Sequence, residues 1–156
     1  LENISIDGVD RKILQELQID GRLTISELSS RVGLSPTPCA RRVAMLEKAG
    51  IIAGYSARLD QEALGLPVTI FVAVELERQS ADALQTFERA LRPFERVMEC
   101  YLMTGTRDVL LRVVAKDLKD FDSFLEEQLM RVPGIRNTRS SFTLRTMIRR
   151  DRLPDI

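Results

Sequence analysis

Residues 24–47 read TISELSSRVGLSPTPCARRVAMLE, and their punctuation decides how the first half of the chain folds. Thr24 and Glu27 form a T-x-x-E capping box ahead of Leu28 and Val32, so a helix starts near Ile25. Gly33 supplies the positive φ that closes it. Ser35 then stands where the next helix is capped, with Pro36 at the first helical position, where its missing N–H costs nothing. Pro38 is still within the first turn. Cys39, Val43 and Leu46 recur on one face. Thr37, Arg41 and Lys48 point away from that face, Arg42 lies at its edge, and Gly50 ends the pattern. Two capped helices joined by a tight turn make a helix-turn-helix. A major groove admits one α-helix, entered by its N-terminal residues. An arginine pair alone reads equally well as a solvated face. The capped helix, glycine, capped helix spacing favours the DNA reading.

Upstream, Asp7 and Asp10 precede and open an apolar pattern of Val9, Ile13, Leu14 and Leu17. It predicts a helix over Gly8–Ile19 against which the other two pack. Downstream, IIAGYSARL (51–59) alternates loosely around Gly54 and predicts a wing of two short strands. Asp60–Pro67 carries no apolar stripe and reads as a joint between domains.

From Val68 the period changes to two. Val68–Leu76 reads as a strand and Ala81–Leu91 as a helix closed by Pro93. Val97–Thr104 and Asp108–Ala115 read as a hairpin around Gly105-Thr106-Arg107. Leu118, Phe121, Phe124, Leu125 and Leu129 mark a second helix, stopped at Pro133-Gly134, and Ile135–Leu144 is a last strand. The order β-α-β-β-α-β is a ferredoxin-like split βαβ unit with both helices on one sheet face. Phe71, Ala73, Tyr101, Val109 and Leu111 are placed on the other face, and an apolar open face predicts a second copy of the chain.

Composition narrows the function. The 156 residues are 44% hydrophobic and 29% charged, as in a globular chain without a membrane span, and the cytoplasm is the expected compartment. Lys+Arg and Asp+Glu balance at 23 each, so any DNA affinity rests on a local basic face. The absence of His removes His triads, His metal sites and His general bases. With no Gly-rich phosphate loop, metal cluster or nucleophile–base pair either, neither enzyme activity, nor a metal, nor a cofactor is expected. Cys39 and Cys100 both fall in apolar patterns and are expected as buried free thiols.

The run LQIDGRLTISELSSRVGLSPTPCARRVAMLEKAGIIAGY (17–55), and S-P-T-P-C-x-R-R-V within it, closely resembles the N-terminal domain of the Lrp/AsnC, or feast/famine, regulators. MECYLMTGTRDVLLRV (98–113) and RVPGIRNTRSSFTL (131–144) resemble that family's C-terminal effector (RAM) domain. The resemblance implies a winged helix-turn-helix over 1–60, a linker over 61–66 and a ferredoxin-like effector-binding and oligomerisation domain over 67–156. It also implies a homodimer assembling to an octamer, a palindromic operator, and a small effector, usually an amino acid, held between neighbouring dimers.

The DNA-binding candidates are Ser35, Thr37, Pro38, Arg41 and Arg42. The effector-binding candidates are Leu102, Thr104, Gly105, Thr106, Arg107, Asp108, Ser140, Ser141 and Phe142. Asp108 suits an ammonium group, and the N–H groups of the turn suit a carboxylate. Many relatives carry G-D-x-D-Y here; in this chain Thr106 replaces the first acid, Arg107 adds a positive charge and Val109 replaces the Tyr. Ser141 is small where some relatives have Tyr. Arg145–Arg152 reads as an exposed strand extension, solvated or between subunits. The competing function is an architectural, DNA-compacting protein without an effector.

Overall fold

The structure, a computed structural model, describes residues 5–105 and 107–154. The chain forms two compact units: the described residues up to Arg58 together with those from Ile148 onward, and Leu59–Met147.

In the first unit, α1 (Gly8–Ile19), α2 (Ile25–Val32) and α3 (Pro36–Lys48) each begin as their local signals dictate. Asp7 Oδ1 accepts the N–H groups of Val9 and Asp10, both at 2.9 Å, and Asp10 Oδ2 accepts the Asp7 N–H at 3.1 Å. This is a capping box built from two aspartates. At α2, Glu27 accepts the Thr24 N–H at 2.8 Å and the Glu27 N–H reaches Thr24 Oγ1 at 3.2 Å. Gly33 closes α2 at φ +74°. Ile13, Leu14, Leu28, Val32, Cys39, Val43 and Leu46 form the buried core beneath the three helices.

Within this single chain the described residues 51–59 form no strand, so the two strands expected of the wing are not paired here. Its first arm is already spent, because the N–H groups of Ile51 and Ile52 both bond to the Leu46 carbonyl, at 3.0 and 3.2 Å, and close the end of α3. The terminal segment is likewise no strand extension. Arg58 pairs with Asp151 at 2.5 Å, and the Leu153 N–H donates to Gln18 Oε1 at 2.7 Å.

The second unit holds β1 (Val68–Leu76), α4 (Ala81–Leu91), β2 (Val97–Leu102), β3 (Val109–Ala115), α5 (Leu118–Glu127), a 3-10 turn (Leu129–Arg131) and β4 (Ile135–Phe142). The sheet order is β2-β3-β1-β4, and each neighbouring pair is antiparallel. Ile70, Val72, Val74 and Leu76 of β1 share one face with Val109, Leu111 and Val113 of β3, and pack on Phe87, Leu91, Phe121 and Phe124. The other face carries Phe71 opposite Arg112 and Ala73 opposite Leu110.

Val109 and Leu111 are thus in the helix-covered core, and Leu110 takes the place expected for them on the open face. β3 (VLLRVVA) is apolar at both parities, so alternation alone does not say which set meets the helices. Cys39 is buried, and burial pushes its thiol pKa up. Cys100 is exposed, contrary to expectation, because it lies on an edge strand. Among the described residues no helix is long and apolar enough to cross a membrane.

Candidate DNA-reading helix and effector turn

The start of α3 is set by its prolines. Pro36 and Pro38 have no N–H, which leaves Thr37 as the one amide donor among the first three helical positions. The helix start therefore offers a phosphate a single backbone amide from these three positions. Ser35 takes the cap backbone conformation, but its side chain makes no capping hydrogen bond. Ser35, Thr37 and Arg41 are exposed, and Pro38 is half-buried. At roughly 100° per residue, Thr37, Arg41 and Lys48 share the outer face, opposite the buried Cys39, Val43 and Leu46.

Arg42 is placed differently. Its Nη1 donates to Asp10 Oδ1 and to Asp7 Oδ2, each at 2.8 Å. The hydrogen bonds to Asp10 and then Asp7 push its pKa up further. The Asp7 carboxyl is held below its usual range, first by the Asp10 N–H and then by Arg42. Local pattern places Arg42 at the edge of the buried face, but nothing in it pairs residue 42 with residues 7 and 10. That partnership is tertiary.

In the second unit the β2–β3 turn runs through Gly105, at φ +110°. Thr106 lies outside the described residues. The turn is fastened at its far end by Asp108. The Asp108 N–H donates to the Val74 carbonyl at 3.2 Å, and the Asp108 carbonyl accepts the Met103 N–H at 2.8 Å. Its Oδ2 accepts the Leu76 N–H at 2.7 Å, and its Oδ1 accepts Gln79 Nε2 at 2.6 Å. Each carboxylate oxygen retains a second lone pair. Leu76 and Gln79 are partners that the sequence reading missed. Leu102 and Thr104 are exposed and Arg107 is half-buried.

The β4 candidates diverge from one another. Ser140 pairs with Val72 on the helix side, while Ser141 pairs with Phe71 on the open face. The Phe142 ring meets Phe121 edge-on, with centroids 5.4 Å apart. β4 and β2 are opposite edges of the sheet. At about 4.8 Å per strand, β4 lies roughly 10–14 Å from the hairpin carrying the turn. One chain therefore does not bring Asp108 and Ser140–Phe142 into a single pocket.

A helix-turn-helix unit followed by a ferredoxin-like unit defines a two-part transcription regulator. Residues 69–153 match the model of the Lrp/AsnC ligand binding domain, and residues 6–53 that of the winged helix-turn-helix DNA-binding domain. The Bkd operon transcriptional regulator of Pseudomonas aeruginosa is 44% identical over 149 residues, covering 96% of this chain and 97% of the relative. The leucine-responsive regulatory protein of Escherichia coli K12 is 40% identical over 148 residues, covering 95% and 90%. A Neisseria meningitidis transcriptional regulator solved with L-Met superposes with a TM-score of 0.90, at 39% identity, over 96% of this chain and 97% of that one. The chain belongs to the Lrp/AsnC family of transcriptional regulators.

Proposed function

We propose that this chain reads a palindromic operator through α3, as a homodimer that assembles further to an octamer, and that a small effector, an amino acid, modulates that engagement in the cytoplasm. The observation that carries the DNA part is the outer face of α3. Thr37 and Arg41 stand exposed on it, and the Ser35 hydroxyl beside it is not consumed by capping. A planar guanidinium such as that of Arg41 suits bidentate contact with guanine or phosphate. Ser35, Thr37 and Pro38 lie at the end that enters a groove first.

The effector part rests on the relatives and on the turn. The Neisseria regulator was solved with L-Met. In this chain the remaining lone pairs of Asp108 suit an ammonium group, and the N–H groups near Gly105 suit a carboxylate. The separation of the turn from Ser140, Ser141 and Phe142 supports a pocket assembled from two copies, one giving the turn and the other β4. An effector that bridges copies shifts the balance of assemblies, and so the number of α3 helices that engage DNA together. No catalytic step is assigned.

Screening the twenty amino acids by thermal shift, with mass measurement for each hit, tests the effector part. A stabilising amino acid that changes the assembly supports it. A flat screen favours the architectural reading.

A further inference from the structure

Asp10 is the one buried carboxylate among the described residues of the first unit, at 1% exposure. A carboxylate removed from water needs a fixed cationic partner. That partner is the second arginine of the recognition helix. Arg42 Nη1 reaches Asp10 Oδ1 and Asp7 Oδ2, each at 2.8 Å. The remaining oxygens of the same two carboxylates hold the N-terminal amides of α1: Asp7 Oδ1 takes Val9 and Asp10, and Asp10 Oδ2 takes Asp7. One guanidinium nitrogen on α3 thus grips the whole cap of α1.

We infer that Arg42 is a positioning residue for DNA reading and not a DNA contact. With Asp7 and Asp10 it fixes the rotation of α3 about its own axis. Arg41, adjacent in sequence and roughly 100° around the helix, is thereby aimed outward with Thr37. Swinging Arg42 out to a phosphate would strip Asp10 of its cation and strand a buried charge. The two arginines therefore divide the work: one carries the contact and the other holds the angle. The inference rests on the proposal that α3 reads DNA, and it adds a residue outside the groove, Asp10, to the determinants of affinity.

The test compares Arg41→Ala, Arg42→Ala, Asp10→Asn and the Asp10→Asn/Arg42→Ala double variant in the full chain. Binding to one duplex, selected by the wild-type protein from a random pool, is measured over a range of salt concentrations. Asp10→Asn keeps the shape of the site but offers one acceptor oxygen where the carboxylate uses two, so it removes the charge and one of the two bonds without emptying the site, and reports even where Arg42→Ala folds poorly. The expected result is that Arg42→Ala and Asp10→Asn weaken binding by a similar factor at every salt concentration. The slope of log K against log salt stays at the wild-type value, and the double variant is no weaker than the worse single one. Arg41→Ala instead reduces the magnitude of the slope by about 1 for each protomer bound, about 2 for a two-fold dimer.

In the free protein, amide exchange at Thr37, Cys39, Ala40 and Arg41 quickens in Asp10→Asn and in Arg42→Ala. A slope reduced in magnitude by about 1 per protomer in Arg42→Ala, with Asp10→Asn binding as wild type, overturns the inference. So does unchanged exchange in both variants. A wild-type slope in Arg41→Ala sinks the reading of α3 as the DNA contact, and the exchange arm, which uses no DNA, still decides whether Arg42 and Asp10 set the helix.

Discussion

The carboxylate of Asp108 accepts the Leu76 N–H at 2.7 Å, so the end of β1 and the β2–β3 turn are fastened by one residue. Removing it strands the Leu76 amide as well as freeing the turn. Asp108→Ala is expected to cost about 1–3 kcal/mol in denaturant unfolding. Asp108→Asn keeps an acceptor oxygen and is expected to cost less. Both variants are expected to lose the amino acid response while DNA binding persists. An Asp108→Asn protein that responds like wild type would show that this carboxylate does not hold the ammonium group.

Arg96 holds the Asp120 carboxyl down at about 2, with the Lys116 N–H as the second contribution. The folded value lies below the ordinary 3.8, so protonation favours the unfolded chain. The stabilisation is complete above about pH 4 and is lost as pH falls towards about 2. Asp7, also lowered, acts in the same direction. Denaturation midpoints measured from about pH 5 to pH 2 should fall less steeply in Asp120→Asn than in wild type. Parallel curves would show that the Arg96 pair carries no acid sensitivity.

Gly33 sits at φ +74° with nothing within 4 Å of where a Cβ would stand. The cost of Gly33→Ala is therefore backbone strain and not a clash, about 1–2 kcal/mol. Thermal unfolding of the two proteins measures it. A neutral substitution would mean that the α2–α3 turn relaxes without the left-handed conformation.

How much was legible before the structure follows from the range of the forces involved. Gly8–Ile19, Val68–Leu76 and Ala81–Leu91 end where caps, prolines and periodicity place their ends, because those signals act within a turn or two of the chain. The misreadings have separate causes. The strands expected of the wing do not pair within one chain, where the Leu46 carbonyl holds the amides of Ile51 and Ile52. The face of Val109 and Leu111 was misassigned because β3 is apolar at both parities. Arg42 looked like a twin of Arg41 until its bonds to Asp7 and Asp10 set them apart. In the candidate effector site the turn glycine and Asp108 were readable, but the donors from Leu76 and Gln79 were not. They come from another strand and loop.

Leu46 is fully buried beneath α3. Leu46→Ala should cost about 2–5 kcal/mol and loosen the recognition helix. Urea unfolding followed in the full chain checks this. A cost under about 1 kcal/mol would mean that the core under α3 collapses around the missing side chain.

The central claim is that α3 reads DNA through its outer face in a two-fold assembly. It is tested most directly by selecting bound duplexes from a random pool with wild-type and Arg41→Ala protein, while monitoring mass. Wild type is expected to enrich a two-fold symmetric sequence. Arg41→Ala, at unchanged assembly mass, is expected to lose that enrichment. An unenriched wild-type pool, or the same motif recovered equally by Arg41→Ala, would contradict the account.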